Sequence, residues 1–546
     1  MKPLRIALLW HHHQPYYTVD DRFLLPWVRL HAAKDYVDLA LIQLSHPEIR
    51  CTYNIVPSLL LQIDEYLAGT EDEVLTLTKV PAANLSPEQK QRLLHLFFLC
   101  HHETMLLPYD RYRELFERSR DEATAIREFE ERDWRDLQVW YNLTWIGPVT
   151  RENEHIRRLI TKGSDFSEGD KRTVLSQHML ALHAFVPLLK QLYASGKADL
   201  SMTPLYHPIL PLIMDSDAAL EAAPHTRMPR HRYRQEQDAE WQVRRGEQIF
   251  AEAFGCSPRG VWCSEGSVSM EVLRLLGSCG FAWTATDEHV LRNSRPGRAH
   301  THAFFPHTVR EDRRPPITLF FRDHGLSDAI GFEYKHWEPD HAAQDFIRRL
   351  HEIRTAVIRE HGEDALEEAV VPIILDGENC WEFYRDNGRP FLHSLYSRIA
   401  EDEHLVTVTF SETCQSAGDS ADHVLERVVA GSWIHGDFAI WIGHEEKNAA
   451  WDALYAARTL AGTKRVTKKQ WREAMEHVYI AEGSDWFWWY GDDHSAPSRE
   501  VFDEIFRYHL RRVYELYDEE VPAVLQRPMM KSRHGVTAYS TMHGSA

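Results

Sequence analysis

The strongest constraint on the fold of this chain is an alternation of short apolar runs with long amphipathic segments. Short apolar runs lead into polar, glycine- or proline-bearing segments at residues 5–10, 55–56, 200–203, 261–262 and 370–375. The segments between them have helical periodicity, for example residues 173–193, 236–254 and 342–361. Strands that alternate with helices predict an α/β fold with a parallel sheet or barrel, in which polar side chains gather at the carboxyl ends of the strands.

Two regions depart from this alternation. Residues 86–190 are helical and rich in charge, so we expect a helical insertion within a barrel domain of residues 1–400. Residues 401–525 are expected to form a C-terminal helical region packed against the barrel. Residues 526–546 lack periodicity and are expected to be a mobile tail.

The charge balance and the cysteine pattern limit the partners of the chain. Lys and Arg total 62 against 82 for Asp and Glu, a formal net charge of −20, so nucleic acid is not an expected partner. The seven Cys form no paired framework, the apolar run at the N-terminus is too short for a signal peptide, and no apolar stretch reaches 18 residues. We therefore expect a cytoplasmic protein without a membrane partner; its oligomeric state stays open.

Two carboxylates that follow predicted strands are candidates for paired acid–base chemistry. Glu265 comes shortly after the run 261–262, and Asp376 comes directly after the run 370–375. Cleavage of a glycosidic bond needs one carboxylate at the anomeric centre and a second carboxyl group that protonates the leaving oxygen. Two acids at the ends of different parallel strands can converge over a barrel mouth. The alternative is that each side chain caps the helix that follows its strand.

A run of three histidines follows the first predicted strand. Side chains alternate along an extended chain, so His11 and His13 point to the same side. This pair could hydrogen-bond a substrate hydroxyl, or it could bind a metal ion if other Asp or His residues supplied the remaining ligands. A third interpretation is a pair of structural histidines held by hydrogen bonds.

Three further segments, at residues 202–208, 321–328 and 431–443, combine aromatic and polar side chains. In the third, Trp433 and Trp441 flank His435 and Asp437. Aromatic faces beside hydrogen-bonding groups suit sugars, which have apolar C–H faces and polar rims. We expect both indole rings to line a binding cleft; the alternative is that either ring belongs to the core.

Five short motifs follow one another along the chain. In chain order they are His11-His12-His13-Gln14-Pro15, Thr203-Pro204-Leu205-Tyr206-His207-Pro208, Trp262-Cys263-Ser264-Glu265-Gly266-Ser267, Leu375-Asp376-Gly377-Glu378-Asn379 and Gly431-Ser432-Trp433-Ile434-His435-Gly436-Asp437. In kind and in order these motifs resemble those of glycoside hydrolase family 57, and the resemblance extends past residue 490. It implies a (β/α)7-type barrel with a helical insertion and a C-terminal helical domain that completes the substrate cleft. It also implies a retaining enzyme that acts on α-glucans such as starch, glycogen, maltooligosaccharides or pullulan.

The resemblance also implies roles for individual residues. Glu265 is the expected nucleophile and Asp376 the expected general acid/base, with Glu378 as a neighbouring like charge that raises the pKa of Asp376. No metal or other cofactor is expected. The expected substrate-binding residues are His11, His13, Gln14, His207, Trp262, Asp328, Glu378, Trp433, His435, Asp437 and Trp441.

Several activities are compatible with these residues. The motifs favour an α-amylase or amylopullulanase that cleaves α-1,4 bonds, with α-1,6 bonds as a further target. A 4-α-glucanotransferase or a glucan branching enzyme would use the same catalytic pair. A zinc-dependent α-mannosidase or deacetylase would instead use the pair of His11 and His13 as metal ligands. A non-catalytic glucan-binding protein is disfavoured because both acids are present.

Overall fold

Seven parallel strands form the centre of the computed structural model, which describes residues 2–531 except 312–313, 415–420, 464 and 495–497. Neighbouring strands pair in parallel in the order β7-β1-β2-β3-β4-β5-β6. Their bounds are β1 (Leu4–His12), β2 (Cys51–Ile55), β3 (Ala198–Met202), β4 (Gly260–Trp262), β5 (Trp283–Asp287), β6 (Ile317–Arg322) and β7 (Val370–Asp376).

The row of strands closes into a barrel between β6 and β7. Directly after β6, the backbone N–H of Asp323 donates to the carbonyl of Pro372 on β7 at 2.8 Å. The Nε of Arg322 donates to the carbonyl of Ile374 at 2.7 Å. These contacts connect the two ends of the row, and the predicted (β/α)7-type barrel is confirmed.

Large apolar side chains fill the barrel. The strands send alternate residues inward, and the buried cluster inside includes Leu9, Trp262, Trp283, Phe320 and Ile374. This interior is packed with side chains rather than open, so any ligand must bind at its mouth. The carboxyl ends of all seven strands open on that mouth.

Short strands extend the sheet outside the barrel. Leu405–Val408 pairs in parallel with the first half of β1, and His307–Val309 pairs antiparallel with β6. Val424–Leu425 pairs in turn with His307–Val309, and Thr18–Val19 forms a small hairpin with Arg22–Phe23. The sheet therefore continues past residue 400, where we expected the helical region to begin.

Helices connect the strands. Those that follow β1 are Trp27–His31 and Val37–Leu44. Between β2 and β3, where the insertion at 86–190 was predicted, all elements are helical; the α-helices are Pro57–Ala68, Glu73–Lys79, Pro87–Leu96, Asp110–Arg118, Glu122–Glu128, Glu131–Thr144, Glu154–Lys162 and Glu168–Ala194. The later ones are Leu210–Met214, Ala219–Ala222, Glu236–Phe254, Met270–Cys279, Glu288–Ser294, His324–Asp328, Pro339–His361, Arg389–Glu401 and Phe410–Cys414.

Four C-terminal helices pack beside the barrel: Glu445–Gly462, Lys468–Ala481, Ser484–Trp489 and Arg499–Leu516. They reach the mouth at the segment after β3, where Pro208 forms an isolated β-bridge with Gly483. From the helix Glu236–Phe254, the side-chain amide of Gln242 donates to the carbonyl of Tyr479 at 2.9 Å. Of the predicted tail at 526–546, residues 532–546 lie outside the described part of the chain. No helix in the described ranges is long and apolar enough to cross a membrane.

Candidate active site

Glu265 lies on a tight turn directly after β4. Its backbone is left-handed, with φ of 57° and ψ of 25°, a conformation that costs a non-glycine residue about 1–3 kcal/mol and is concentrated at functional sites. The next residue, Gly266, also has positive φ, and a Cβ there would lie 2.7 Å from the ring of Trp262. The turn therefore packs on the barrel interior and directs the carboxyl group, whose side chain is 17% exposed, into the mouth.

Asp376 is the last residue of β7 and lies beside β1. The backbone N–H of Gly377 donates to the carbonyl of His11 at 2.7 Å, which joins the first and fourth motifs. A Cβ on Gly377 would lie 2.2 Å from the ring of His12, so only glycine allows this approach. The side-chain amide of Asn379 donates to Oδ2 of Asp376 at 2.7 Å and fixes the orientation of the carboxyl group.

The two carboxyl groups share one electrostatic environment. Burial, followed by the charge of Asp376, raises the pKa of Glu265 to about 8. Burial also raises the pKa of Asp376, although the hydrogen bond from Asn379 and the charges of His13 and Arg322 act to lower it. The pair therefore retains a proton at pH values where exposed carboxyl groups are ionised.

Trp433 connects the fifth motif to the third. Its indole Nε1 donates to Oε2 of Glu265 at 2.7 Å, and its backbone N–H donates to the carbonyl of Glu265 at 3.0 Å. Gly431 and Val268 exchange two backbone hydrogen bonds, at 2.9 and 3.0 Å, so the two motifs pair like short antiparallel strands. The half-buried ring of Trp433 lies edge-to-face on Trp262 at 5.3 Å, beside the turn of Glu265.

Three histidines form a stack beside the catalytic candidates. The rings of His13 and His207 stack at 3.8 Å. The ring of His11 lies 5.3 Å from that of His207 and 5.8 Å from that of His13. Nδ1 of His11 donates to Oδ1 of Asn54 at 2.6 Å. Nδ1 of His207 lies 4.0 Å from Oε1 of Glu265, which brings the first two motifs to the third. Burial lowers the pKa of His11 to about 3 and that of His207 well below its usual value, so both rings are neutral.

The C-terminal helix Ser484–Trp489 orients this stack. Nε2 of His13 donates to Oδ1 of Asp485 at 2.8 Å. Nδ1 of His207 lies 2.8 Å from Oγ of Ser484, whose backbone N–H donates to the carbonyl of His207. The remaining ring nitrogens, Nδ1 of His13 and Nε2 of His207, are buried without a hydrogen-bond partner among the described residues. Buried polar atoms of this kind call for a ligand or an ordered water.

Two predicted substrate-binding tryptophans lie in the core instead. Trp262 is fully buried inside the barrel, under the turn of Glu265 and the ring of Trp433. Trp441 is also fully buried; its carbonyl accepts a hydrogen bond from Trp451, and Trp488 packs 6.1 Å away. A substrate cannot reach either ring in this structure, so the predicted cleft positions of Trp262 and Trp441 are wrong.

Gln14 and Glu378 also serve the structure of the site rather than its surface. Both side chains are buried, and Gln14 donates to Glu378 at 3.4 Å. Glu378 also accepts from the backbone N–H of His13 at 3.1 Å. Burial, followed by the charge of Asp376, raises the pKa of Glu378 well above its usual value. Burial, rather than the charge of Glu378, raises the pKa of Asp376. The bonds from Gln14 and His13 to Glu378 join the first motif to the fourth.

The remaining predicted residues lie along the rim of the mouth. Asp328 is one-third exposed and pairs with Arg322 and with His324, whose Nε2 lies 3.0 Å away. The exposed His435 and the half-buried Asp437 flank Gly436, where a Cβ would lie 3.1 Å from His289. Oδ1 of Asp437 accepts from the backbone N–H of Ala439, so this side chain stabilises its own turn.

Two groups of described side chains bring possible metal ligands together. In the first, which contains His13, His207 and Asp485, the two rings are nearly parallel, with an interplanar angle of 14°. Zinc lies in the plane of each imidazole ring, about 2.0–2.1 Å from its nitrogen. Rings stacked face to face at 3.8 Å lie in nearly parallel, separate planes, and one ion cannot lie in both planes, so this group does not match a zinc centre.

The second group consists of Asp287, His289 and His324. The guanidinium of Arg322 occupies it, with Nη1 3.2 Å from Oδ2 of Asp287. Hydrogen bonds to Asp287 and Asp328 raise the pKa of His324 to about 10, so this ring is cationic. Two cations already compensate the carboxylates here, which disfavours a divalent ion.

Comparison with known proteins agrees with this geometry. The chain matches the sequence profile of glycosyl hydrolase family 57 over residues 7–425. No curated protein sequence matches it. Its fold is similar to that of the GH57-type branching enzyme from the hyperthermophilic archaeon Pyrococcus horikoshii, at 15% identity, a TM-score of 0.60 and coverage of 98% of each chain.

Two other solved structures have the same fold. The α-amylase AmyC from Thermotoga maritima matches at 13% identity and a TM-score of 0.58, over 95% of this chain and 93% of its own. The 4-α-glucanotransferase from Thermococcus litoralis matches at 13% identity and a TM-score of 0.55, over 94% of this chain and 60% of its own. At such identities these structures establish the fold alone. The profile match covers most of the sequence, and the chain belongs to glycosyl hydrolase family 57.

Proposed function

We propose that this enzyme is a retaining glycoside hydrolase that cleaves α-1,4-glucosidic bonds in α-glucans. The observation that carries the proposal is the placement of Glu265 and Asp376 at the ends of β4 and β7, where burial and then the charge of Asp376 raise the pKa of Glu265. Two coupled carboxyl groups over a barrel mouth suit glycoside cleavage. Retention requires them to be about 5–5.5 Å apart.

The reaction is a double displacement. The carboxylate of Glu265 attacks C1 of the sugar while Asp376 gives its proton to the departing glycosidic oxygen, which leaves a β-glycosyl ester on Glu265. Asp376, now ionised, removes a proton from water as the water oxygen attacks C1 and releases Glu265. The active form carries one proton on the pair. The hydrogen bond from Trp433 favours the ionised form of Glu265.

The histidine stack supplies hydrogen bonds to sugar hydroxyls. Nδ1 of His13 and Nε2 of His207 are buried and lack partners among the described side chains, and His207 lies next to Glu265. A bound sugar would satisfy both nitrogens. The half-buried ring of Trp433 offers an apolar edge beside the anomeric centre. This chemistry needs no metal, in keeping with the stacked geometry of His13 and His207.

Water is the acceptor that we propose, although glucanotransferases and branching enzymes share this catalytic pair. We assign α-1,4 bonds as the main target, with α-1,6 bonds as a further one. The seven cysteines are all free, as is usual for a protein in a reducing compartment, so we propose that the enzyme acts in the cytoplasm.

A product profile on amylose and on pullulan tests the activity. Hydrolysis releases new reducing ends in proportion to the bonds cleaved, whereas transfer changes chain lengths without increasing reducing ends. Cleavage of pullulan to maltotriose would add α-1,6 activity. New α-1,6 branches with no increase in reducing ends would replace our proposal with a branching enzyme.

A further inference from the structure

We propose that Arg322 is a positioning residue for both catalytic carboxyl groups. Its guanidinium supports Trp433, which binds Glu265, and it anchors the end of β7, which carries Asp376. The inference depends on the proposed function for the roles of the two acids. Neither the family motifs nor the chemistry described above assigns a role to this arginine.

Arg322 lies between the two catalytic strands. It is the last residue of β6, which neighbours β7, and it is 4% exposed. Its Nε donates to the carbonyl of Ile374, two residues before Asp376, at 2.7 Å. Its Nη1 and Nη2 pair with Asp287 and Asp328, respectively. A planar guanidinium held by three acceptors has a fixed orientation, which a lysine could not reproduce.

The same guanidinium packs on the residue that binds the nucleophile. Its central carbon lies 5.2 Å from the ring centroid of Trp433. A cation at this distance from an indole ring is attracted to the ring face. The ring of Trp433 also contacts Trp262 edge-to-face at 5.3 Å, and its Nε1 donates to Glu265, so Arg322, Trp262 and Glu265 together fix the indole.

The charge of Arg322 acts on the second acid. It lowers the pKa of Asp376, which burial raises. The indole hydrogen bond, which Arg322 supports, lowers the pKa of Glu265. Loss of the guanidinium should therefore raise both pKa values. The other charged or titratable groups around the two acids and Arg322 remain in place: Asp287, Asp328, His289, His324, His13, His207, Glu378 and Asp485.

The test is the pH dependence of kcat/KM for Arg322→Met and Arg322→Lys on a maltooligosaccharide. For Arg322→Met we expect kcat to fall about 10²-fold, as a misplaced catalytic group commonly causes, with a smaller change in KM. Both limbs of its profile should move to higher pH. Arg322→Lys keeps the charge that acts on Asp376 but not the planar contact with Trp433. Its basic limb, which reports Asp376, should therefore stay close to wild type, while its acidic limb, which reports Glu265, moves to higher pH.

The matched control is Arg507→Met. Arg507 is 5% exposed and pairs with Asp503 at 2.7 Å, far from the motifs in the sequence. The Arg507→Met variant should have a lower Tm than wild type, with neither limb of its pH profile of kcat/KM moved. A crystal structure of Arg322→Met provides a readout that does not depend on turnover: we expect the Trp433 ring to lose its hydrogen bond to Glu265.

The possible results separate the two proposals. An alkaline shift of both limbs together with a displaced Trp433 ring supports the role of Arg322. Lower activity of Arg322→Met with both limbs of the pH profile unmoved overturns the role of Arg322. If that variant does not fold, an unmoved pH profile of Arg322→Lys overturns it. An unchanged hydrogen bond from Trp433 to Glu265 also overturns it. A wild-type enzyme without turnover on any α-glucan would refute the proposed function, while the position of Trp433 would still test the inference.

Discussion

The indole N–H of Trp433 donates a 2.7 Å hydrogen bond to the carboxyl group of Glu265, and the backbone N–H of Trp433 donates to the backbone carbonyl of Glu265 at 3.0 Å. The two residues are 168 positions apart in the sequence. The fifth motif thus holds the proposed nucleophile directly, in addition to any contact that its ring makes with sugar.

Replacement of Glu265 by Gln should abolish turnover and leave the fold and glucan binding largely intact. The amide is nearly isosteric but is a far weaker nucleophile, so the loss of kcat should span several orders of magnitude. Activity on amylose, together with binding of a maltooligosaccharide by calorimetry, measures both effects. Retention of more than about a tenth of wild-type kcat would show that Glu265 is not the nucleophile.

The same variant should change how stability depends on pH. The pKa of Glu265 is raised from the ordinary 4.5 to about 8, so its contribution to the free energy of unfolding is complete below 4.5 and is lost as pH rises through 8. Glutamine does not ionise. The Tm of Glu265→Gln should therefore match that of wild type near pH 4.5 and exceed it by several degrees above pH 8.

Scanning calorimetry at both ends of this range makes the comparison. Glu401→Gln, at an exposed position on a helix end, is the control and should show no pH-dependent difference. A constant difference in Tm between wild type and Glu265→Gln at all pH values would mean that burial does not raise the pKa of Glu265.

The two tryptophans of the fifth segment should respond differently to replacement by Ala. Trp433→Ala should weaken maltooligosaccharide binding by about 1–3 kcal/mol and reduce kcat, because the ring edge and the bond to Glu265 are lost. Trp441→Ala should lower stability by about 3–5 kcal/mol by opening a cavity, with little change in affinity. Equal effects on affinity would place both rings in the cleft and contradict the burial of Trp441.

Exhaustive treatment with a strong chelator should leave activity unchanged. The stacked rings of His13 and His207 suit hydroxyl groups rather than zinc, and His11 is hydrogen-bonded to Asn54. Loss of activity that zinc alone restores would favour the metal-dependent alternative. Apoenzyme that keeps full activity but melts at a lower temperature would indicate a structural ion elsewhere.

The barrel and the catalytic candidates were predictable because each depends on local pattern. Apolar runs define the buried strands. A polar residue at the carboxyl end of such a strand, as with Asp376, or shortly after it, as with Glu265, lies at the barrel mouth. The alternation of side chains likewise placed His11 and His13 on one side, where their rings are 5.8 Å apart.

Contacts between distant segments were not predictable. Asp485 binds His13 across 472 residues, and Arg322 at the end of β6 contacts Trp433 in a loop 111 residues later in the chain. Arg322 lies in one of the segments whose aromatic and polar composition stood out, yet composition gives no partner. Trp441 was predicted wrongly for the same reason: its burial depends on the packing of Trp451 and Trp488 from the C-terminal helices.

The most direct test of the central claim is to trap the glycosyl-enzyme. In Asp376→Ala the second step lacks its base, whereas an activated substrate such as a maltooligosyl fluoride needs no acid in the first step. Mass spectrometry of this variant after mixing should find a glycosyl group bound to the peptide that contains Glu265, and added azide should release it as the α-glycosyl azide. We predict attachment at Glu265. Azide attacks C1 of the β-ester from the opposite face, so the released product should be the α-glycosyl azide. An adduct on another residue, or no adduct together with inverted product from the wild-type enzyme, would contradict the account.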